Sequence, residues 1–224
     1  MKKKVLQICA IELSVHALLK PLLIESQQNG FEVHVACTNQ GGFHELENQG
    51  FVMHDISIDR SINLQGNIKS VYELYKLMKK EKYDIVHVHT PIDALLGRVA
   101  AKMAKVPNII YTAHGFYFHD EMQAKQYKIF YNIEKYAARY LTDWLLLQSK
   151  EDYELSLNDK FKSEERTIHL SNGVDIWGKF NLSQIQNSNE EIIASIDGLT
   201  ISKNDIIFSF IGRLVKEKGI FELI

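Results

Sequence analysis

Two cations near the end of the chain carry the clearest chemical possibility. Residues 205–211 form an apolar run that reads as a buried strand, and Gly212-Arg213 and Lys218-Gly219 follow it. A strand, a Gly-Arg pair and a Lys-Gly pair opening a helix make a grip for a diphosphate. The guanidinium of Arg213 offers a planar fork of donors, Lys218 a point charge, and the helix start its unpaired N–H groups. An ordinary strand-to-helix loop with two solvated cations contains the same residues, so the remainder of the chain has to decide. His114 is the second candidate. It ends an apolar run in Thr112-Ala113-His114-Gly115-Phe116, where Gly115 lets a ligand approach the backbone. His87 and His89 alternate along one run and share a face, as a metal pair would, but no third ligand is recognisable. Buried, hydrogen-bonded histidines are the expectation there, and no metal site.

These residues need a frame, and the hydrophobic pattern supplies one. Short apolar runs at 5–10, 31–37, 51–58, 84–89, 108–113, 144–148, 167–170 and 205–211 alternate with amphipathic stretches. Such alternation predicts βαβ units in an α/β fold with a doubly wound, mostly parallel sheet. Ser14 is expected to cap the first helix, which Gly30 ends. Thr90 is expected to cap the helix after the fourth strand, with Pro91 in its first turn and Asp93 three residues on. In an open parallel sheet ligands bind beyond the carboxyl ends of the strands. The candidates are then Glu12, Ser14 and His16, residues 38–42, Thr90, residues 114–119 and Ser149. Neither G-x-G-x-x-G nor G-x-x-x-x-G-K-[ST] follows the first strand, which argues against a nicotinamide dehydrogenase and a P-loop NTPase.

With 224 residues and 46% apolar content, the chain is long enough for one good core and the start of another. Its net charge of −2 offers no field for nucleic acid. Cys9 and Cys37 end apolar runs, as reduced thiols in a cytoplasmic protein do. Residues 2–4 are lysines before an apolar run, but Gln7, Glu12 and His16 interrupt it, so it reads as a strand and not as a signal peptide. No uninterrupted apolar run reaches the ~18 residues of a membrane span. Residues 115–119 are unusually aromatic for a loop, and the helix after them interleaves Lys125, Lys128, Lys135 and Arg139 with five aromatic residues. That surface, with Phe116 and His119 in the loop and His16 beyond the first strand, is a candidate acceptor or membrane side suited to anionic lipid headgroups or a lipid-linked substrate. A core helix with a solvated basic face is the plainer alternative.

The rhythm breaks after residue 170. Residues 1–170 are expected to form one complete domain, and residues 171–224 a linker and the beginning of a second, too short for a core of its own.

Four segments in order carry a resemblance: Val86-His87-Val88-His89-Thr90-Pro91, Thr112-Ala113-His114-Gly115-Phe116, Ser171-Asn172-Gly173-Val174-Asp175, and Gly212-Arg213-Leu214 with Lys218-Gly219. Together they resemble the family 4 glycosyltransferases of bacterial capsular and exopolysaccharide synthesis. The resemblance implies a GT-B fold of two Rossmann-like domains, a nucleotide-sugar donor that is UDP-linked, a glycan or polyprenyl-linked acceptor, retention of anomeric configuration, no metal or other cofactor, and work at the cytoplasmic face of the inner membrane. It also implies that Arg213, Lys218 and Gly212 hold the donor diphosphate, that His114 lies against the transferred sugar, and that Asn172 and Gly173 form the turn into the second domain. Two departures stand out. Residues 10–14 replace the glycine-rich loop many relatives carry after the first strand, and the family's later pair of glutamates would fall beyond Ile224. The resemblance therefore implies a chain that is inactive by itself. The alternatives are a non-catalytic acceptor- or partner-binding half, or a GT-B sugar-nucleotide epimerase.

Overall fold

The structure is a computed structural model and describes residues 2–58, 64–173, 176, 181, 195–196, 199–200, 206, 210, 212 and 219–223. The chain divides into two compact units, Met1–Asn172 and Gly173–Ile224.

The first unit is built on seven parallel strands: β1 (Lys4–Ile11), β2 (Glu32–Thr38), β3 (Val52–Asp55), β4 (Ile85–His89), β5 (Asn108–Ala113), β6 (Trp144–Leu147) and β7 (Thr167–His169). Their order is β3-β2-β1-β4-β5-β6-β7, so the winding reverses between β1 and β4. The central strands are apolar almost throughout because helices cover both faces. Alternate residues of β1 feed two separate cores. Leu6 and Ile8 join Val86, Val88, Tyr111 and Leu145 on one face; Val5 and Cys9 join Val33, Val35 and Cys37 on the other. Neither Cys9 nor Cys37 forms a disulfide.

Helices α1 (Glu12–Ser14), α2 (Lys20–Gln28) and α3 (Phe43–Glu47) lie with the second core, to which Leu23, Phe43 and Leu46 belong. The first core takes α4 (Leu64–Glu81), α5 (Pro91–Ala104), α6 (Ala124–Leu141) and part of α7 (Lys150–Asn158). Gly97 brings α5 close to the sheet: a Cβ there would lie 2.7 Å from Val88 Cγ1 and 3.1 Å from Ile8 Cδ1. Fixing α5 this tightly is Arg98, wholly buried. Its Nη1 donates to Glu134 of α6 at 2.9 Å, its Nε to the Ala94 carbonyl at 3.0 Å, and its plane lies 4.2 Å from the Tyr111 ring centre.

Several boundaries differ from the sequence expectation for local reasons. Ser14 caps nothing; the chain turns helical already at Glu12 and passes through a π-helical stretch, Val15–Leu19, before α2. Only Val52–Asp55 of the run 51–58 pairs as a strand. Thr90 is the cap position of α5, but its hydroxyl donates to the Asp93 carboxylate and accepts no backbone N–H of the helix, its φ of 54° turning it away from a capping geometry.

Within the second unit, Ser195–Ile196 (β8) and Leu199–Thr200 (β9) pair antiparallel, and Ile220–Leu223 forms a short helix, α8. The expected strand 205–211 is described only at Ile206 and Phe210, which have no regular structure, Ile206 being exposed. Arg213 and Lys218 lie outside the described residues; Gly212 is described as exposed.

Candidate active site

The middle of β1 and the carboxyl ends of β4, β5 and β6 bring four polar side chains into one chain of contacts. Gln7 interrupts the apolar series Val5 and Cys9 and is buried. Its Oε1 stands 2.9 Å from His89 Nε2. With that proton given to Gln7, the Nδ1 lone pair of His89 faces His114 Nε2 at 3.4 Å, and the two rings stack 5.6 Å apart. His114 Nδ1 in turn lies 2.9 Å from Gln148 Oε1, just past β6. Both ring nitrogens of His114 are therefore engaged by the protein. Its orientation is fixed from two strands, β4 and β6, that flank its own.

His87 supports this row from within the sheet. Its Nε2 meets Thr112 Oγ1 at 2.8 Å, and its ring centre lies 4.2 Å from that of His89. Burial holds both rings neutral. It pushes His87 down to about 3 and His89 well below the usual histidine range, and each is further disfavoured as a cation by its histidine neighbours. Among the described residues no group of three or more His, Cys, Asp or Glu side chains is arranged to hold a metal.

The backbone beyond His114 is shaped for close approach. Gly115 has a φ of 124°, and a Cβ there would touch nothing within 4 Å, so the position opens on free space. The turn after β4 is equally special, since Thr90 is β-branched and takes positive φ next to His89, a strained conformation of the kind that gathers at functional sites. Asp152 Oδ2 accepts the Phe116 N–H at 3.2 Å, while Ser149 Oγ accepts the Asp152 N–H at 3.2 Å. These two bonds tie the loop after β5 to the start of α7.

A second polar group lies at the ends of β1 and β2. Glu12 is buried, and its carboxylate accepts the Gln40 N–H at 2.8 Å and approaches His16 Nε2 at 3.4 Å. Burial alone works against its charge, but the N–H groups of Gln40 and Gly42 and the His16 ring outweigh that cost, and its carboxyl sits below the usual range. A Cβ on Gly42 would fall 2.1 Å from Glu12 Oε1. His16 is carried on the π-helical stretch, a widening of the helix that recurs at functional sites.

The remaining candidates are placed as follows. Phe116 is half-buried and packs inward on Phe118 and Phe161, with ring centres 5.1 and 5.6 Å away; the exposed aromatic of this loop is its neighbour, Tyr117. His119, Lys125 and Lys128 are exposed. Asn172 and Gly173 stand on either side of the division between the two units. Gln7, His89 and Gln148 are members of the site that the sequence did not single out as functional. The glutamines sit in or beside apolar runs; a polar residue amid such a run is the signal that would have found them.

Known proteins were compared with the chain. The glycosyl transferase 4-like family profile matches residues 7–149, which contain the whole histidine row. The chain belongs to this family. It is 33% identical over 191 residues to the UDP-Gal:alpha-D-GlcNAc-diphosphoundecaprenol alpha-1,3-galactosyltransferase of Escherichia coli, covering 84% of the chain and 47% of that protein. The chain thus spans about half the length of the curated relatives it matches. Among solved structures, a glycosyltransferase from Rickettsia africae superposes with a TM-score of 0.60 at 16% identity, covering 78% of this chain and 44% of that one. UDP-N-acetylglucosamine 2-epimerase from Rickettsia bellii superposes with a TM-score of 0.56 at 16% identity, covering 76% and 45%. At that identity the likeness concerns the fold, which transferases and epimerases share.

Proposed function

We propose that the family 4 chain is the acceptor-side part of a retaining glycosyltransferase. Its reaction moves a sugar from a UDP-linked donor to a glycan carried on a polyprenyl diphosphate, in the synthesis of a bacterial surface polysaccharide at the cytoplasmic face of the membrane. The observation that carries this reading is the match of the family profile across 7–149, coinciding with the histidine row at the carboxyl edge of the sheet. The diphosphoundecaprenol acceptor named for the Escherichia coli relative supports the lipid-linked substrate.

In this reading the bond between the sugar's anomeric carbon and the donor diphosphate breaks, and the acceptor hydroxyl oxygen bonds to the same carbon from the same face. Its proton passes to the departing diphosphate oxygen. Arg213 and Lys218 offset the charge that grows on that diphosphate. His114, held by His89 and Gln148, lies against the sugar and fixes its orientation, and the open backbone at Gly115 admits the ring. No metal or cofactor is assigned to the reaction.

The test compares lipid-linked glycans by mass spectrometry in cells with and without the gene. A polyprenyl-diphosphate glycan one sugar shorter should accumulate in the deletion. An unchanged set of lipid-linked glycans would contradict the reading.

A further inference from the structure

An apolar cavity opens beside the histidine row, and its chemistry differs from that of every other hollow described for this chain. Its volume is about 130 Å3, small against the roughly 300–1,000 Å3 of pockets for drug-sized ligands and room only for a narrow group. It is lined by Pro91 and Ile92, which follow His89 within three residues, and by Tyr117, three residues past His114. Leu95 of α5 with Phe130 and Ile133 of α6 complete much of its apolar wall. Of its lining residues with a charged or amide side chain, Glu134 is already bonded to Arg98 and Asn67 belongs to α4.

Such a hollow is poorly matched to a sugar or a nucleotide, whose hydroxyls and phosphates would lose water there without gaining partners. A protein segment is also a poor fit, because a stable protein contact needs on the order of 1,000 Å² and this cavity admits only something narrow. A hydrocarbon chain meets neither objection. The rim is suited to its entry: Tyr117 and Ile133 are each 42% exposed, and Ile129, one turn before Ile133, is 48% exposed. Lys125 precedes Ile129 by four residues and so shares its face of α6, placing a cation in line with the exposed apolar stripe. Apolar residues and lysines on one helix face are the pairing that meets a lipid whose head is anionic.

We propose that this cavity seats the first isoprene units of the acceptor lipid, next to the diphosphate-linked sugar that receives the transfer. The assignment rests on the lipid-linked acceptor reading above. It adds that the protein recognises the lipid itself, and that Ile92, Leu95 and Ile133 set that recognition while Lys125 faces the diphosphate.

Farnesyl diphosphate is the probe, since it carries an isoprenoid and a diphosphate in a water-soluble molecule and needs no membrane. Titrated against the 224-residue chain by calorimetry, it should bind, while inorganic diphosphate at the same concentration should not displace it. Leu95→Trp, which fills the cavity, should weaken binding by roughly tenfold or more, the scale of losing about one buried apolar side chain's worth of contact. Ile133→Glu changes an exposed rim position, so it tests the same cavity without threatening the fold; its binding should fall similarly at an unchanged melting temperature. Binding that survives both substitutions would overturn the cavity assignment and leave the lipid-linked acceptor reading standing. Displacement by inorganic diphosphate alone would overturn it too, placing recognition on the cations. An absence of any farnesyl diphosphate binding to the unaltered chain would overturn the cavity assignment, whereas the lipid-linked acceptor reading stands or falls on the gene-deletion comparison.

Discussion

His114 has no ring nitrogen to spare as the chain stands: one faces His89 and the other Gln148. A sugar hydroxyl that bonds this ring must displace one of those partners, and the 3.4 Å contact to His89 is the longer and so the one more readily given up. His89→Phe should therefore leave nucleotide binding unchanged while lowering transfer, because it removes the partner that aims the ring and keeps the volume. Arg213→Ala should differ in kind. It should weaken nucleoside-diphosphate binding and lower turnover by something on the order of 100-fold or more, the scale of a lost transition-state donor. Calorimetric titration with UDP beside steady-state transfer rates separates the two; equal loss of UDP affinity in both variants would refute the division of roles. The His114 end of this arrangement was legible in sequence, since a His-Gly pair at the end of an apolar run is conspicuous. Gln7 and Gln148 were legible only as polar residues amid apolar runs, because nothing in spacing tells that each turns toward a histidine of the neighbouring strand.

At the level of elements, Gly42 holds its site together through what it excludes. Gly42 leaves room for the Glu12 carboxylate, so Gly42→Ala should push that carboxylate off the Gln40 N–H and destabilise the fold by about 1–3 kcal/mol, as overpacking does. In a Glu12→Ala background the same substitution should cost almost nothing; denaturant melts of the four proteins measure the coupling, and additive effects would show that the two residues do not share the site. The pair Arg98–Glu134 binds α5 to α6 on the other face of the sheet. Glu134→Ala should cost about 3–5 kcal/mol because it strands a buried guanidinium, whereas Arg98→Met with Glu134→Leu should recover much of that loss. Strand positions in the first unit followed from the apolar runs because parallel strands buried on both faces must be apolar along their length. The start of α2 did not, since Ser14 looks like a cap, and the π-helical stretch that displaces it arises from the burial of Glu12 and Val15, a tertiary effect.

The molecule as a whole should lose stability in mild acid for a reason located in the histidine row. His87 is held neutral in the folded state down to about 3, against about 6.5 when unfolded. Between those values the unfolded chain binds the proton and the folded chain does not, so stability is full above about 6.5 and falls as the pH drops toward 3. The slope approaches about 1.4 kcal/mol per pH unit for one such group, and His89 adds to it in the same direction. Melting temperatures taken from pH 7 to pH 4.5 should fall more steeply for the unaltered chain than for His87→Asn; parallel curves would show that His87 does not control the acid limb. Among the described residues no helix is long and apolar enough to cross a membrane. Tyr117, Ile129 and Ile133 are exposed.

The most direct test of the account returns His114→Ala, carried in an enzyme with a complete second domain, to cells lacking the gene and follows the lipid-linked glycans by mass spectrometry. The variant should be produced at the normal level and fold with an unchanged melting temperature, yet restore the longer glycan at a rate lower by about 100-fold or more. Restoration at the unaltered rate would show that the histidine row is not where the sugar is transferred.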